Sequence, residues 1–272
     1  MRVMPIRIVT GKGGKTQMIA SFQKNWKHYL QEALGLAIFM ISACFFGAIL
    51  ESTNSPVHHA IRNDMFRLIL MGVLMGITAL FIFYSPLTAP SGSQINPAVT
   101  ITFLRLGRMC PWDALFFMLF QIAGGVLAVL LMQVLMGNLL TNAPVFSVIT
   151  VPGKYGTTAA VLLEFVIAFG TMMMILITSG SETQKKYTRN IAAFLVCTWV
   201  ILAGPISGFG MNPARSFASA LAANMWTAFW IYLVMPIAGM LCAAECYLWY
   251  KKSANKRQYT KGKKEKILLK RN

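Results

Sequence analysis

The chain has few of the side chains from which metal centres, disulfide frameworks and most catalytic sites are built. Among its 272 residues there are five cysteines and three histidines, and charged residues make up only 12%. The cysteines lie in or at the ends of apolar segments, where they act as small hydrophobic residues, so no disulfide framework is predicted. The histidines are scattered along the chain. We therefore expect no metal, no cofactor and no enzymatic activity.

What the chain has in abundance is apolar sequence. Hydrophobic residues make up 56% of it and the mean hydropathy is +0.59, values typical of membrane proteins that cross the bilayer several times. Six apolar runs are close to the roughly 20 residues that a helix needs to cross a bilayer. They cover approximately residues 30–50, 68–85, 114–137, 159–177, 191–206 and 226–249. The predicted fold class is an all-α membrane protein with six transmembrane helices.

The formal net charge of +17 is unevenly distributed. Of the 25 lysine and arginine residues, only Arg62, Arg67, Lys154 and Arg215 lie outside four segments: those before the first span, after the sixth, and just before the third and fifth. Basic segments stay on the cytoplasmic side of a membrane. The pattern predicts that both termini are cytoplasmic, in a protein of the plasma membrane.

Two basic tails, residues 1–27 and 251–272, flank the apolar part. We interpret them as solvated charge that fixes the topology and faces anionic lipid head groups, not as a nucleic-acid site. Residues 11–16 resemble a phosphate-binding loop, but Val9 stands where that motif requires glycine, so we predict no nucleotide binding.

One tripeptide, Asn-Pro-Ala, occurs twice, at Asn96-Pro97-Ala98 and at Asn212-Pro213-Ala214, each preceded by Ser-Gly at the same distance. Asparagine is a favoured helix cap and proline a favoured first helical residue, so each motif predicts a helix start. The segments that follow are too short to span a membrane. Such a repeat indicates two half-helices that meet near the bilayer midplane, as in proteins built from inverted repeats.

The paired motifs, Arg215 directly after the second, and the acidic residues Glu32 and Glu164 in the first and fourth spans resemble the aquaporin, or major intrinsic protein, family. The resemblance covers roughly residues 29–249. It implies a channel domain at 28–250, with repeats at about 28–137 and 159–250, and two re-entrant half-helices between six spans. It also implies a homotetramer in the lipid bilayer, with one pore per subunit for water and small neutral solutes.

The resemblance also implies roles for the motif residues. Asn96 and Asn212 would turn their amide groups towards the pore as donors to passing water, while the helix dipoles repel cations and the fixed water orientation interrupts proton transfer. Pro97 and Pro213 would pack ring to ring, which the small Ala98 and Ala214 allow. Glu32 and Glu164 would hold the half-helices through loop N–H groups, and Gln121 would assist; a proton-relay role for the carboxylates is the alternative.

Four positions set selectivity in the family, and the resemblance assigns them to Met75, Val200, Phe209 and Arg215, with Met71 as the competing residue on the second span. This quartet lacks the phenylalanine and histidine of strictly water-selective members. One charged donor and three apolar walls predict a pore for water and for solutes such as glycerol, urea, ammonia, hydrogen peroxide or metalloid hydroxides. Gln94 stands where histidine is common, so pH gating through that position has no support.

A secondary transporter built on an inverted repeat is the alternative function. Such transporters normally place ionisable side chains at the midplane site. Here the midplane motifs contain asparagine and proline, with Arg215 just beyond them, which favours a passive channel.

Overall fold

The computed structural model describes residues 14–269, with side chains described through Ser253. Within that part all regular structure is helical, and six helices are long and apolar enough to cross a membrane, which confirms the predicted class. The six spans are α1 (Gly14–Glu51), α3 (Asp64–Tyr84), α5 (Pro111–Met136), α7 (Gly156–Ser179), α8 (Thr188–Ser207) and α10 (Phe229–Leu269). The other helices are α2 (Pro56–Ala60), α4 (Pro97–Arg105), α6 (Asn138–Thr141) and α9 (Pro213–Ala223).

The two half-helices α4 and α9 begin at the prolines of the repeated motif. Their 9 and 11 residues correspond to lengths of about 14 and 17 Å. Each covers about half of the roughly 30 Å hydrocarbon core. Asn96 caps α4, its Oδ1 accepting from the N–H of Ala98 at 2.9 Å. Asn212 caps α9 through the N–H of Ala214 at 3.1 Å and of Arg215 at 3.3 Å.

The spans pack in pairs that follow the repeat. In the first repeat α1 packs on α5, in the second α7 packs on α10, and α3 against α8 joins the two halves. Glycines allow the closest approaches: a Cβ on Gly124 would lie 2.1 Å from the carbonyl oxygen of Ala33, and one on Gly239 would lie 2.5 Å from that of Phe165. Small residues at helix contacts are what membrane bundles use to bring backbones together.

The first and last helices extend beyond the predicted spans. Helix α1 begins at Gly14, inside the predicted tail 1–27, because its extension is held to the start of α5. There the buried Asp113 accepts from the Tyr29 hydroxyl at 2.5 Å and from Asn25 Nδ2 at 3.0 Å. Helix α10 continues to Leu269, through most of the predicted tail 251–272. The predictions for residues 1–13 and 270–272 lie outside the described residues.

Candidate functional site

The loops that lead into the two half-helices have matching backbones. Ser93 and Ile95 before α4 have φ angles of 48° and 43°, and Phe209 and Met211 before α9 have 52° and 43°. Residues other than glycine rarely adopt this left-handed conformation, which persists only where the surroundings impose it. The same unfavourable backbone at equivalent positions shows that both loops are held in shape from outside.

A buried carboxylate holds the first loop. Glu32 of α1 accepts from the backbone N–H groups of Gln94 at 2.9 Å and Ile95 at 2.5 Å. It also accepts from the Ser91 hydroxyl at 2.6 Å and from Gln121 Nε2 of α5 at 2.8 Å. A carboxylate without donors would be very unfavourable inside a membrane, so these bonds fix both the acid and the loop.

A second carboxylate repeats the arrangement in the other half. Glu164 of α7 accepts from the N–H groups of Gly210 at 2.8 Å and Met211 at 2.6 Å, and from the Ser207 hydroxyl at 2.6 Å. Both carboxylates are fully buried. Each loop is therefore tied to a helix of its own repeat through two consecutive N–H groups.

The asparagines tie each loop to the opposite repeat. Asn96 Nδ2 donates to the carbonyl of Met211 at 2.9 Å, and Asn212 Nδ2 donates to the carbonyl of Ile95 at 2.7 Å. An amide NH₂ group carries two hydrogens, so each asparagine keeps one donor for the pore. The sequence suggested the donors but not these crossed bonds, which join segments more than a hundred residues apart.

The half-helices meet at these asparagines. Helices α4 and α9 contact each other, and Pro97, Ala98, Pro213 and Ala214 are all buried at the junction. The partial positive charges of two helix N-termini therefore lie close together in the middle of the bundle. That field disfavours any cation passing between them.

Two cavities inside the bundle share part of their lining. The first, which we call the midplane chamber, has a volume of about 80 Å³ and is lined by Asn96 and Asn212. The second, which we call the vestibule, has a volume of about 500 Å³ and lies on the side away from the chain termini. Phe39, Phe209 and Arg215 line both cavities, so they form the constriction between them.

All four residues assigned to the selectivity filter line the vestibule: Met75, Val200, Phe209 and Arg215. Met71, the competing residue on α3, lines it as well, one turn nearer the start of the helix. Met75 is 2% exposed and Val200 8%, so both pack into the wall. Met71 and Met75 therefore lie on the same wall of the vestibule, one helical turn apart.

Arg215 is held by a loop that sequence reasoning did not single out. Its Nη1 donates to the hydroxyl of Thr150, which also accepts from the Ser216 hydroxyl at 3.4 Å. Thr150 precedes α7 and lies 65 residues before Arg215. The sequence also did not point to Phe39 of α1, which lines both cavities. Neither residue belongs to a motif, so only the tertiary fold reveals them.

Comparisons with known proteins match this architecture. The pattern of the major intrinsic protein family matches residues 19–247. Aquaporin NIP1-2 of Oryza sativa subsp. japonica is 28% identical over 225 residues, which cover 80% of this chain and 69% of that relative. Aquaporin NIP1-2 of Arabidopsis thaliana is 32% identical over 184 residues, covering 65% of this chain and 61% of that relative. The chain therefore spans about two thirds of the length of these relatives.

A solved structure shares the fold. The X-ray structure of the aquaglyceroporin from Plasmodium falciparum superimposes with a TM-score of 0.66 and 17% identity, over 82% of this chain and 95% of that one. At this level of identity, the likeness shows the architecture alone.

Proposed function

Because the chain belongs to the major intrinsic protein family, we propose that it forms a passive transmembrane channel for water and small neutral solutes. One observation carries the proposal: the two asparagine-capped half-helices meet at a chamber that shares Phe209 and Arg215 with the vestibule. Among the residues that line the chamber, Arg215 alone is charged. An ion-coupled transporter normally carries ionisable groups at such a midplane site, so a channel fits better.

The asparagine pair supports exclusion of protons. A water between Asn96 and Asn212 accepts one N–H from each side chain, because the other N–H of each is bound to the opposite loop. Its oxygen is then saturated and its hydrogens point away along the pore. As is established for aquaporin-type pores, donors at this point and the positive ends of half-helix dipoles form a barrier to protons and cations.

The constriction supports passage of neutral solutes besides water. Arg215 offers fixed donors to hydroxyl, carbonyl or water oxygens. Met75, Val200 and Phe209 offer apolar surface to the carbon face of a solute. We propose glycerol, urea, ammonia, hydrogen peroxide and metalloid hydroxides as the candidate solutes.

We further propose a homotetramer in the plasma membrane with both termini in the cytoplasm. The basic residues near both ends of the chain support this orientation through the positive-inside rule. The large apolar side chains exposed along α5, such as Val134 at 83%, support contact with lipid or with other subunits.

Stopped-flow light scattering on proteoliposomes tests the channel. We expect osmotic water permeability well above that of empty liposomes, unchanged when an ionophore removes ion gradients. Ala192→Trp should abolish it, because an indole fills a chamber of about 80 Å³. Leu162→Trp, on the exposed face of α7, is the matched control and should conduct normally. Flux that requires an ion gradient would instead establish a transporter.

A further inference from the structure

The repeated motif sets up a correspondence between the two sides of the asparagine pair. When Asn96 is aligned with Asn212, Ser93 corresponds to Phe209 and Val99 to Arg215. Phe209 and Arg215 line both cavities, whereas Ser93 and Val99 line the midplane chamber and not the vestibule. The chamber thus contains the counterparts of two filter residues.

The spans provide the counterparts of the other two. For the spans the separation is taken as 117 residues, one more than the 116 between the two motifs. With this offset, Val200 corresponds to Phe83 and Met75 to Ala192. Phe83 and Ala192 both line the chamber, at the end of α3 and the start of α8. All four counterparts therefore line the chamber, on the side of the chain termini.

The chamber is the smaller of the two cavities. The chamber has about 80 Å³ against about 500 Å³ for the vestibule. Among the four counterparts that line the chamber, Phe83 has the largest side chain.

A polar group with a fixed orientation faces the same space. The Oε1 of Gln94 accepts from the Thr100 hydroxyl at 2.8 Å, and Thr100 in turn accepts from Gln121 Nε2 at 3.2 Å. Since Gln121 is itself bound to Glu32, the direction of this chain is set by the carboxylate. Gln94 lines the chamber and its Nε2 has no acceptor among the described residues, so this NH₂ group is a donor to whatever occupies the chamber.

The other repeat has no equivalent donor. The counterpart of Gln94 is Gly210, where a Cβ would lie 2.4 Å from Cδ1 of Tyr232. The Tyr232 ring occupies that place and its hydroxyl donates to the Ser207 carbonyl at 2.7 Å. The amide therefore makes the chamber asymmetric about the asparagine pair.

We propose that Phe83 and Gln94 form a second solute-selecting station, between the asparagine pair and the side of the chain termini. Phe83 limits the cross-section, and the Gln94 amide donates to a hydroxyl or carbonyl oxygen of a neutral solute. The proposal rests on the channel function proposed above. It assigns part of the selectivity to residues outside the constriction at Phe209 and Arg215.

The size limit is tested with Phe83→Val, which installs the residue of the corresponding position. The ratio of glycerol to water permeability in proteoliposomes should rise severalfold. Phe81→Val is the matched control, because Phe81 lies on the same helix with 56% of its surface exposed, and its ratio should equal that of the wild type. Phe83→Leu, a milder change that preserves packing, should give a smaller rise. Equal ratios in Phe83→Val, Phe83→Leu and Phe81→Val would overturn the size limit.

The donor is tested with Gln94→Met, which keeps the length of the side chain and the backbone bond to Glu32. Loss of one hydrogen bond should lower glycerol and urea permeability about two- to tenfold relative to water. Gln184→Met, in an exposed connection, should change neither. Unchanged ratios in Gln94→Met would refute the role of the amide. If the wild type itself conducts no water, the channel function fails first, so the two failures are distinguishable.

Discussion

Arg215 is the one charged residue that lines both the chamber and the vestibule, and its position is fixed from both ends. Its backbone N–H donates to the Asn212 cap at 3.3 Å and its guanidinium donates to Thr150. A guanidinium remains protonated and repels cations at the constriction. We expect Arg215→Val to preserve neutral-solute flux and to increase proton or cation leak, measured with a pH-sensitive dye in proteoliposomes under a potassium diffusion potential.

Arg62→Val is the control for this prediction, because Arg62 is exposed in the connection between α2 and α3. It removes the same charge without touching the pore and should leave the leak at the wild-type level. An Arg215→Val protein that is folded, conducts water and shows no added leak would assign the charge barrier to the half-helix dipoles alone.

Val200 faces the vestibule and should control the range of solutes from that side. Val200→His adds bulk and a donor to a wall that is already packed, at 8% exposure. Water can bond to the imidazole and still pass, whereas glycerol and urea lose cross-section because a tightly packed wall does not relax easily. We expect a lower ratio of glycerol to water permeability in proteoliposomes matched for protein content.

Val200→Thr separates size from polarity, because it adds a hydroxyl at nearly constant volume. It should leave the glycerol ratio close to that of the wild type. If Val200→His admits glycerol and urea as freely as the wild type does, the part of the wall that α8 forms at Val200 does not limit these solutes.

At the level of residues, the sequence identified the motif because it is local and repeated, and the carboxylates because acidic residues inside apolar spans are rare. The family resemblance of the sequence is confirmed, since the family pattern covers residues 19–247. Phe39 and Thr150 could not be predicted, because each reaches the constriction only through tertiary packing. The choice between Met71 and Met75 stays open, since both line one wall.

At the level of elements, the six spans were predictable because each is a run of about 20 mostly apolar residues, which a hydropathy profile detects. The extension of α1 to Gly14 was not, because its residues are polar enough to resemble a tail. Their helical state depends on the contact of Asn25 and Tyr29 with Asp113 on α5, which a sequence window does not contain.

The α1–α5 contact gives a prediction about close packing. Gly124→Ala places a Cβ 2.1 Å from the carbonyl oxygen of Ala33, so the two helices must separate. Overpacking of this kind destabilises by about 1–3 kcal/mol. We expect a lower midpoint of thermal unfolding in detergent, followed by the loss of monodisperse elution on size exclusion.

Gly170→Ala on α7 is the matched control. A Cβ there meets nothing within 4 Å, and alanine favours a helix more than glycine does by about 1 kcal/mol. This variant should be as stable as the wild type or more so. Equal destabilisation of both variants would mean that the α1–α5 distance is not set by Gly124.

At the level of the whole molecule, the charge distribution predicts the orientation. A cysteine introduced by Lys252→Cys, after the sixth span, should react with an impermeant thiol reagent only in permeabilised cells. Asn54→Cys, exposed between the first and second spans, is the control and should react in intact cells. Each is compared with the unsubstituted protein, which carries its own cysteines. If Lys252→Cys reacts in intact cells and Asn54→Cys reacts only after permeabilisation, the orientation in the membrane is the opposite of the predicted one.

The crossed bonds from Asn96 to Met211 and from Asn212 to Ile95 have a consequence for synthesis at the ribosome. The first half emerges with its short helix already made, yet the carbonyl of Ile95 lacks its donor until Asn212 has been translated. A nascent chain therefore holds an unfinished re-entrant segment while the 117 residues up to Asn212 are added. The water path has walls from both halves, so an incomplete polypeptide cannot enclose it. For the proposed channel we therefore expect permeability to begin only when the last segments dock, so that stalled or truncated chains do not leak.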